Sequence, residues 1–132
     1  MAVLTAEVKA VIEAATPLVA TCGGFGFPNV TPKGSLRVLD DETLVFSELA
    51  GGKTYHNLRD RPVLSVLVLD LEHQAGYQLK GTASFFTEGE LFDAAVRQAE
   101  ERGKRAPQYV VKVEVAEVWS IWPGQTEEPL AV

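Results

Sequence analysis

Three extended segments joined by two turns can be identified in residues 18–47, which read LVATCGGFGFPNVTPKGSLRVLDDETLVFS. The first, Leu18–Cys22, is rich in β-prone residues and runs into a glycine cluster typical of a hairpin turn. The second begins at Pro28, and a pair of aspartates separates it from the third, Thr43–Ser47. Strands spaced so closely are expected to pair as antiparallel hairpins.

The second segment is expected to have one packed face and one polar face. The packed face would carry Val30, Pro32, Leu36 and Val38, and the polar face would carry Asn29, Thr31, Lys33, Ser35 and Arg37. Pro32 removes a ladder hydrogen bond and Gly34 weakens the strand. The interruption is either a ligand contact made by released backbone groups or an edge strand blunted against aggregation, and these residues alone favour the edge strand.

The rest of the chain adds helices and further strands. A first helix is predicted from Thr5 to Ala15, a short helix capped by Thr54 that ends before Pro62, and a third from a Thr87/Glu90 capping box to Gly103. Strands are predicted over Val63–Leu69, Tyr77–Phe85 and Tyr109–Trp119, followed by a poorly ordered tail. The pattern predicts one domain, residues 1–132, that is mainly β: a six-stranded antiparallel barrel with flanking helices.

Composition excludes several classes of function. A chain of 132 residues with 46% hydrophobic and 23% charged residues is typical of one soluble domain, and its net charge of −6 disfavours nucleic-acid binding. Its apolar runs are too short for a membrane helix, and no signal peptide is apparent, so a cytoplasmic location is expected. The single cysteine, Cys22, is expected to be buried, and with His56 and His73 it lacks the spacing of a metal site.

The segment Gly51-Gly52-Lys53-Thr54 lies where the short helix is predicted to begin. A helix start offers unpaired N–H groups and a partial positive charge, so amides, a hydroxyl and an ammonium would surround a phosphate there. The alternative is a solvated lysine beside an ordinary capped helix, and the local sequence favours neither.

Residues 18–70, ending in SELAGGKTYHNLRDRPVLSVLVLD, together with YQLKGTASF at 77–85, resemble the pyridoxamine 5′-phosphate oxidase-like, FMN-binding split-barrel family. The resemblance rests on the order and spacing of the segments and is greatest for the short flavin-binding members. It implies a homodimer that holds FMN at the subunit interface. It also implies that the flavin, and not the protein, supplies the redox chemistry.

The resemblance assigns cofactor-binding roles by position. Thr31, Pro32 and Lys33 would lie along the flavin ring, and Ser47 and Glu48 would border it. Gly51, Gly52, Lys53 and Thr54 would hold the phosphate, with Asn57 nearby, and Trp122, ahead of Trp119, would approach the cofactor of the second chain. A second chain would also cover the outer face of Val63–Leu69, which is apolar on both sides.

The family's oxidases have an arginine-rich C-terminal region, whereas this chain ends in TEEPLAV, so pyridoxamine phosphate oxidase activity is not expected. No catalytic acid or base can be assigned. The leading hypothesis is an FMN-binding oxidoreductase with an unknown small substrate or redox partner. The alternatives are a non-catalytic electron-transfer or flavin-carrier protein and a cofactor-free binding module on the same barrel.

Overall fold

The computed structural model describes residues 2–24, 26–49 and 52–132. Its helices are α1 (Ala6–Ala14), α2 (Lys53–Asp60) and α3 (Glu90–Glu101). Its strands are β1 (Leu18–Thr21), β2 (Asn29–Pro32), β3 (Arg37–Val38), β4 (Thr43–Glu48), β5 (Val63–Asp70), β6 (Ala75–Phe86), β7 (Tyr109–Ser120) and β8 (Glu128–Ala131). The mainly β, antiparallel barrel class is confirmed, with eight strands in the described part of the chain in place of the six predicted.

The strands form one sheet in the order β2-β1-β5-β6-β7-β4-β3, and β8 pairs with β7. Every pairing among them is antiparallel. β2 and β3 lie at opposite ends of this order, although only residues 33–36 separate them along the chain. Because so short a connection spans at most about 18 Å, the two ends of the sheet must approach each other. The sheet therefore curls into a barrel that is split between β2 and β3.

One of the two extra strands arises where one continuous segment was predicted from Pro28 to Val38. Pro32 has no N–H to donate, and it is the last residue of β2. The backbone N–H of Lys33 donates to Pro17 O at 3.0 Å, and the N–H of Leu36 donates to Lys33 O at 3.1 Å, which closes a turn. The chain thus leaves one edge of the sheet and joins the other.

The core is a row of inward side chains that crosses four neighbouring strands. Val19, Val66, Leu79 and Val118 occupy matching positions and are each at most 1% exposed. From β2, Thr31 pairs with Val19 and continues this row at the edge of the sheet. The assignment of faces predicted for β2 is therefore wrong, because its polar residues point to the inner side of the sheet while Val30 is 63% exposed.

The opposite face of the sheet lacks a complete cover. In β5, Leu64, Val66 and Val68 are buried, whereas Val63 is 48% exposed and Leu69 is 37% exposed. The outer face of this strand was predicted to need a cover. The described residues of one chain do not fully supply it.

Several predicted ends and environments require correction. Thr5 caps α1 as predicted, but Gly52 is the N-cap of α2 in place of Thr54, and Gly89 is the N-cap of α3 with no side-chain capping bond. The Thr87/Glu90 capping box predicted for α3 is therefore wrong, because the helix begins after Gly89, which has no side chain that could cap it. The predicted stop of α3 at Gly103 holds, and there a φ of 64° favours glycine.

The tail and the cysteine also differ from expectation. Residues predicted to be poorly ordered form β8, because their backbone groups complete a ladder with β7. Cys22 was expected to be buried but is exposed just after β1.

Candidate functional site

Two adjoining cavities open at the split of the barrel. The larger, about 410 Å³, is called here the large cavity and is lined by residues 32–35, residues 47–49, Gly52, Ala95, Gln98, Ala99, Arg102, Lys104, Arg105 and Pro107. The smaller, about 310 Å³, is called the helix-tip cavity and is lined by residues 29–31, Lys33, Glu48 and residues 52–54. Lys33, Glu48 and Gly52 contribute to both linings, so the cavities share a boundary.

The helix-tip cavity is formed where α2 begins. Its N-cap residue Gly52 has no side chain, and no side-chain capping bond is present among the described residues. The first N–H groups of the helix therefore lack a side-chain partner at the end that carries partial positive charge. Lys53 and Thr54 belong to the same lining, and so do Asn29 and Thr31, the inward polar residues of β2. This arrangement is suited to an anion.

A buried ion pair lies at the boundary of the two cavities. The Lys33 Nζ and Glu48 Oε1 atoms are 2.5 Å apart, and Glu48 is only 5% exposed. Despite this charge contact, Glu48 Oε1 receives no hydrogen bond of regular geometry from the described residues. A buried carboxylate oxygen in this condition retains capacity for a further donor.

The Glu48 carboxylate also influences a neighbouring phenol. Burial of Tyr109, and secondarily the negative charge of Glu48, raise the pKa of that phenol above its usual range. Tyr109 pairs with Glu48 across β4 and β7, and its ring lies 4.5 Å from that of Tyr55 on α2. The aromatic pair therefore packs α2 against the strand end that carries Glu48.

Two serines hold the connection between β2 and β3 against the end of β4. The backbone N–H of Ser47 donates to Ser35 Oγ at 2.9 Å, and the Ser35 hydroxyl donates to Ser47 O at 3.4 Å. Both residues line the large cavity. The predicted site residues Pro32, Lys33 and Ser47 are thus brought together by a local clamp.

The sequence reasoning missed the wall of the large cavity that belongs to α3 and the residues after it. Ala95, Gln98 and Ala99 project from the helix, and Arg102, Lys104 and Arg105 follow at its end. The sequence feature that could have revealed this wall is the run ERGKRAP at residues 101–107. Three of the four residues 102–105 are cationic there, in a chain that is acidic overall. No local pattern connects this run to residues 29–57, because the two segments are far apart along the chain.

Two other residues predicted to bind the cofactor, Asn57 and Trp122, line neither cavity, and a third is not described by the structure. Asn57 lines neither cavity; its Nδ2 donates to Thr21 Oγ1 at 3.1 Å, and a Cβ added to Gly23 would lie 2.4 Å from its Oδ1. It therefore anchors α2 on the end of β1. Trp122 follows the far end of β7, a strand of 12 residues whose other end adjoins Glu48, and it lines neither cavity of its own chain. Gly51 lies outside the described residues.

Within residues 2–24, 26–49 and 52–132, no group of three or more His, Cys, Asp or Glu side chains is arranged to hold a metal ion. The helices described in the same ranges are all too short or too polar to cross a bilayer.

Comparison with known proteins establishes the family. Residues 4–122 match the sequence model described as pyridoxamine 5′-phosphate oxidase. The chain therefore belongs to this family, and the resemblance noted in the sequence is confirmed.

Solved structures support the same fold. HupZ of Group A Streptococcus is 32% identical, with 93% of this chain and 98% of that chain covered and a TM-score of 0.85. A putative pyridoxamine 5′-phosphate oxidase from Lactobacillus delbrueckii is 26% identical, with 88% and 93% covered and a TM-score of 0.75. An FMN-binding protein from Syntrophomonas wolfei, 17% identical with 89% and 85% covered, shares the fold at a TM-score of 0.76.

Proposed function

We propose that this protein is an FMN-dependent oxidoreductase that binds its cofactor in the helix-tip and large cavities. The observation that carries the proposal is the start of α2, which has no side-chain cap among the described residues and faces a cavity lined by Lys53, Thr54 and the Lys33–Glu48 ion pair. In a chain of net charge −6, these donors and cations provide a local environment in which a phosphate is favoured. The fold that the chain shares with an FMN-binding protein supports the same assignment.

The residues present fit the chemistry of this cofactor. The N-terminal amides of α2, the Thr54 hydroxyl and the Lys53 ammonium would hold the phosphate, because each is a hydrogen-bond donor or a cation. Residues 31–33 and the end of β4, Ser47 and Glu48, would border the ring. Glu48 would keep the Lys33 ammonium beside the ring, because the two side chains form an ion pair and both contribute to the linings of the two cavities.

When bound, FMN accepts and donates electrons, and the protein controls access and electrostatics around it. Lys33 supplies a positive charge at the boundary of the cavities, and Glu48 holds its ammonium there. The Ser35–Ser47 clamp fixes the wall on which both depend. These residues therefore position the cofactor and set the local potential, and no general acid or base is assigned.

The proposal is tested by measuring flavin content and flavin affinity. Protein purified from cells should be yellow, and flavin-free protein should bind one FMN per chain more tightly than it binds riboflavin, which lacks the phosphate. A colourless protein that gains no flavin absorbance with excess FMN would refute the proposal. Steady-state assays with nicotinamide cofactors and small organic acceptors then distinguish an oxidoreductase from a flavin carrier, which would be reducible but would not turn over.

The proposed assembly is a homodimer joined through the outer face of the sheet. Val63 and Leu69 on β5 and Val30 on β2 are large apolar residues left exposed on this side. A second chain would cover them and would place an aromatic such as Trp122 near the neighbouring cofactor, which stays a prediction. Sedimentation should give twice the mass of one chain.

A matched pair of variants tests the interface. Val63→Glu places a charge on the outer face and should shift the protein toward single chains with weaker FMN binding. Leu71→Glu makes the same kind of change in the turn after β5, where the side chain is 73% exposed, and should leave the dimer intact. A wild-type protein that sediments as a single chain would contradict the proposed assembly.

A further inference from the structure

The width of the helix-tip cavity depends on how α2 is seated against β1. Residues 52–54 at the start of α2 and residues 29–31 of β2 both line this cavity. β2 pairs with β1, and Asn29, which belongs to the lining, lies directly across from Thr21 in that ladder. A contact that fixes α2 on the end of β1 therefore also fixes the start of α2 relative to β2.

Such a contact is made by Asn57, one turn into the helix. Its Nδ2 donates to Thr21 Oγ1 at 3.1 Å, and Thr21 is only 3% exposed. Leu58 and Tyr55 also hold α2, but they do so by packing, Leu58 in the core and the Tyr55 ring against that of Tyr109. Apolar packing is non-directional, whereas a hydrogen bond has a preferred length and angle. The Asn57–Thr21 bond is therefore suited to fixing the orientation of the helix.

The glycine at position 23 permits this close approach. A Cβ on Gly23 would lie 2.4 Å from Asn57 Oδ1 and 3.3 Å from Asn57 Cα, so a larger residue would displace the side chain, the helix or both. Either movement would disturb the hydrogen bond to Thr21. Gly24 differs, because a Cβ there would lie 2.9 Å from Asp60 Oδ2, at the end of an exposed side chain that can turn into solvent. The seating of α2 therefore requires glycine at position 23 more strictly than at position 24.

We infer that Thr21, Gly23 and Asn57 are positioning residues that set the width of the helix-tip cavity for the phosphate of the cofactor. This inference rests on the proposed function, because that function assigns the phosphate to the start of α2. The three residues line neither cavity, so they act through the helix and not by contact with the flavin.

The residues proposed to border the flavin ring are held by different contacts. The N–H of Lys33 donates to Pro17 O, and the N–H of Ser47 donates to Ser35 Oγ. Neither bond involves α2. A displacement of α2 should therefore weaken the binding of the phosphate and leave the site for the ring in place.

The test measures the affinity of flavin-free protein for FMN and for riboflavin by fluorescence titration. Asn57→Ala removes the hydrogen bond, and Gly23→Ala should break it by steric contact. Thr21→Val removes the acceptor and nearly preserves the shape of the side chain, whereas Thr21→Ser retains the hydroxyl. Gly24→Ala is the matched control, because it adds the same methyl group at the next position. Riboflavin binding also shows that each variant is folded.

Asn57→Ala, Gly23→Ala and Thr21→Val should each bind FMN about tenfold more weakly, the loss expected when about one charge-assisted hydrogen bond to the phosphate is misaligned. Their affinity for riboflavin should change by less than about threefold. Thr21→Ser and Gly24→Ala should bind both flavins nearly as the wild type does. Gly23→Ala/Asn57→Ala should bind FMN no more weakly than Asn57→Ala alone, since both substitutions break the same contact.

Equal losses for FMN and riboflavin would overturn the inference, because the three residues would then have only a structural role. Wild-type affinity for FMN in Asn57→Ala, or a loss in Gly24→Ala as large as that in Gly23→Ala, would overturn it as well. Additive losses in the double variant would contradict a shared contact. A wild-type protein that binds neither flavin would instead refute the proposed function, and with it this inference.

Discussion

Lys53→Ala should weaken the binding of FMN and leave the binding of riboflavin unchanged. Lys53 is the first residue of α2, is exposed, and lines the helix-tip cavity beside the uncapped helix start. Its ammonium is the group there whose effect depends most on the charge of the ligand. Riboflavin has the same ring and ribityl chain without the phosphate, so it reports every other effect of the substitution.

The size of the effect follows from the exposure of the side chain. Two unit charges about 4 Å apart interact by about 1 kcal/mol in water and about 4 kcal/mol at an effective dielectric constant of 20. An exposed lysine belongs near the lower value, and a phosphate monoester carries a charge of about −1.5 to −2 at neutral pH. A loss of about 1–2 kcal/mol is therefore expected, which corresponds to FMN binding about 5- to 30-fold more weakly.

The assay is titration of flavin-free protein with each flavin, followed by fluorescence or calorimetry. Arg61→Ala is the matched control, because it removes one exposed positive charge from the opposite end of α2. At about 1 M salt the difference between wild type and Lys53→Ala should narrow, since screening then acts over about 3 Å. Equal losses for FMN and riboflavin, or FMN affinity identical to wild type, would refute the phosphate role of Lys53.

Glu48→Gln leaves the half-buried ammonium of Lys33 unpaired, so urea denaturation should show a loss of about 3 kcal/mol in the free energy of unfolding. Lys33→Met/Glu48→Gln should recover at least half of this loss, and a single variant as stable as wild type would contradict a structural ion pair. Gly81→Ala places a Cβ 2.5 Å from a backbone carbonyl oxygen of β7 and should lower the free energy of unfolding by about 2 kcal/mol. Gly34→Ala is the control, because a Cβ there meets no described atom within 4 Å, and it should change stability little. Equal losses of stability in the two variants would contradict a steric cause. Burial and the charge of Glu48 raise the pKa of Tyr109, so the folded state keeps a proton that the unfolded chain releases above about pH 10, and stability is lost as the pH rises further. The wild-type Tm should therefore fall more steeply than that of Tyr109→Phe between about pH 9 and 11, and parallel curves would contradict this.

Local patterns were sufficient to predict most of the strands and the short helix at whose start a phosphate site is proposed. The alternation in residues 77–85 and the turn at Asp40 and Asp41 depend on neighbours in sequence, and the corresponding pairings are present. The short helix was placed correctly as well, but its cap was not. Both Thr54 and Gly52 are compatible with a helix start, and the backbone geometry alone shows which of them begins the turn.

The orientation of β2 could not be predicted from its own residues. Its alternation indicated that Val30 faces the core, but Thr31 occupies that side because β2 is the edge strand beside α2 and the helix-tip cavity. The inner face of β2 lines a cavity and is polar, so the hydrophobic pattern gave the wrong answer at a position of proposed function. The wall formed by α3 was missed for a related reason, since only the curvature of the sheet brings residues 102–107 beside residues 32–35.

The connection at residues 33–36 has a consequence for how the proposed cofactor would enter and leave the molecule. It joins the two margins of the sheet, and it is held by contacts with residues outside its own segment, since the N–H of Lys33 donates to Pro17 O and the N–H of Ser47 donates to Ser35 Oγ. Contacts between residues that are distant in sequence are entropically costly to form during folding. The connection at residues 33–36 is therefore expected to be among the last regions to form and the first to open. A ligand bound beside this connection favours its closed state by mass action. Slow amide exchange at residues 33–36 should therefore appear on loading with FMN and disappear on its removal.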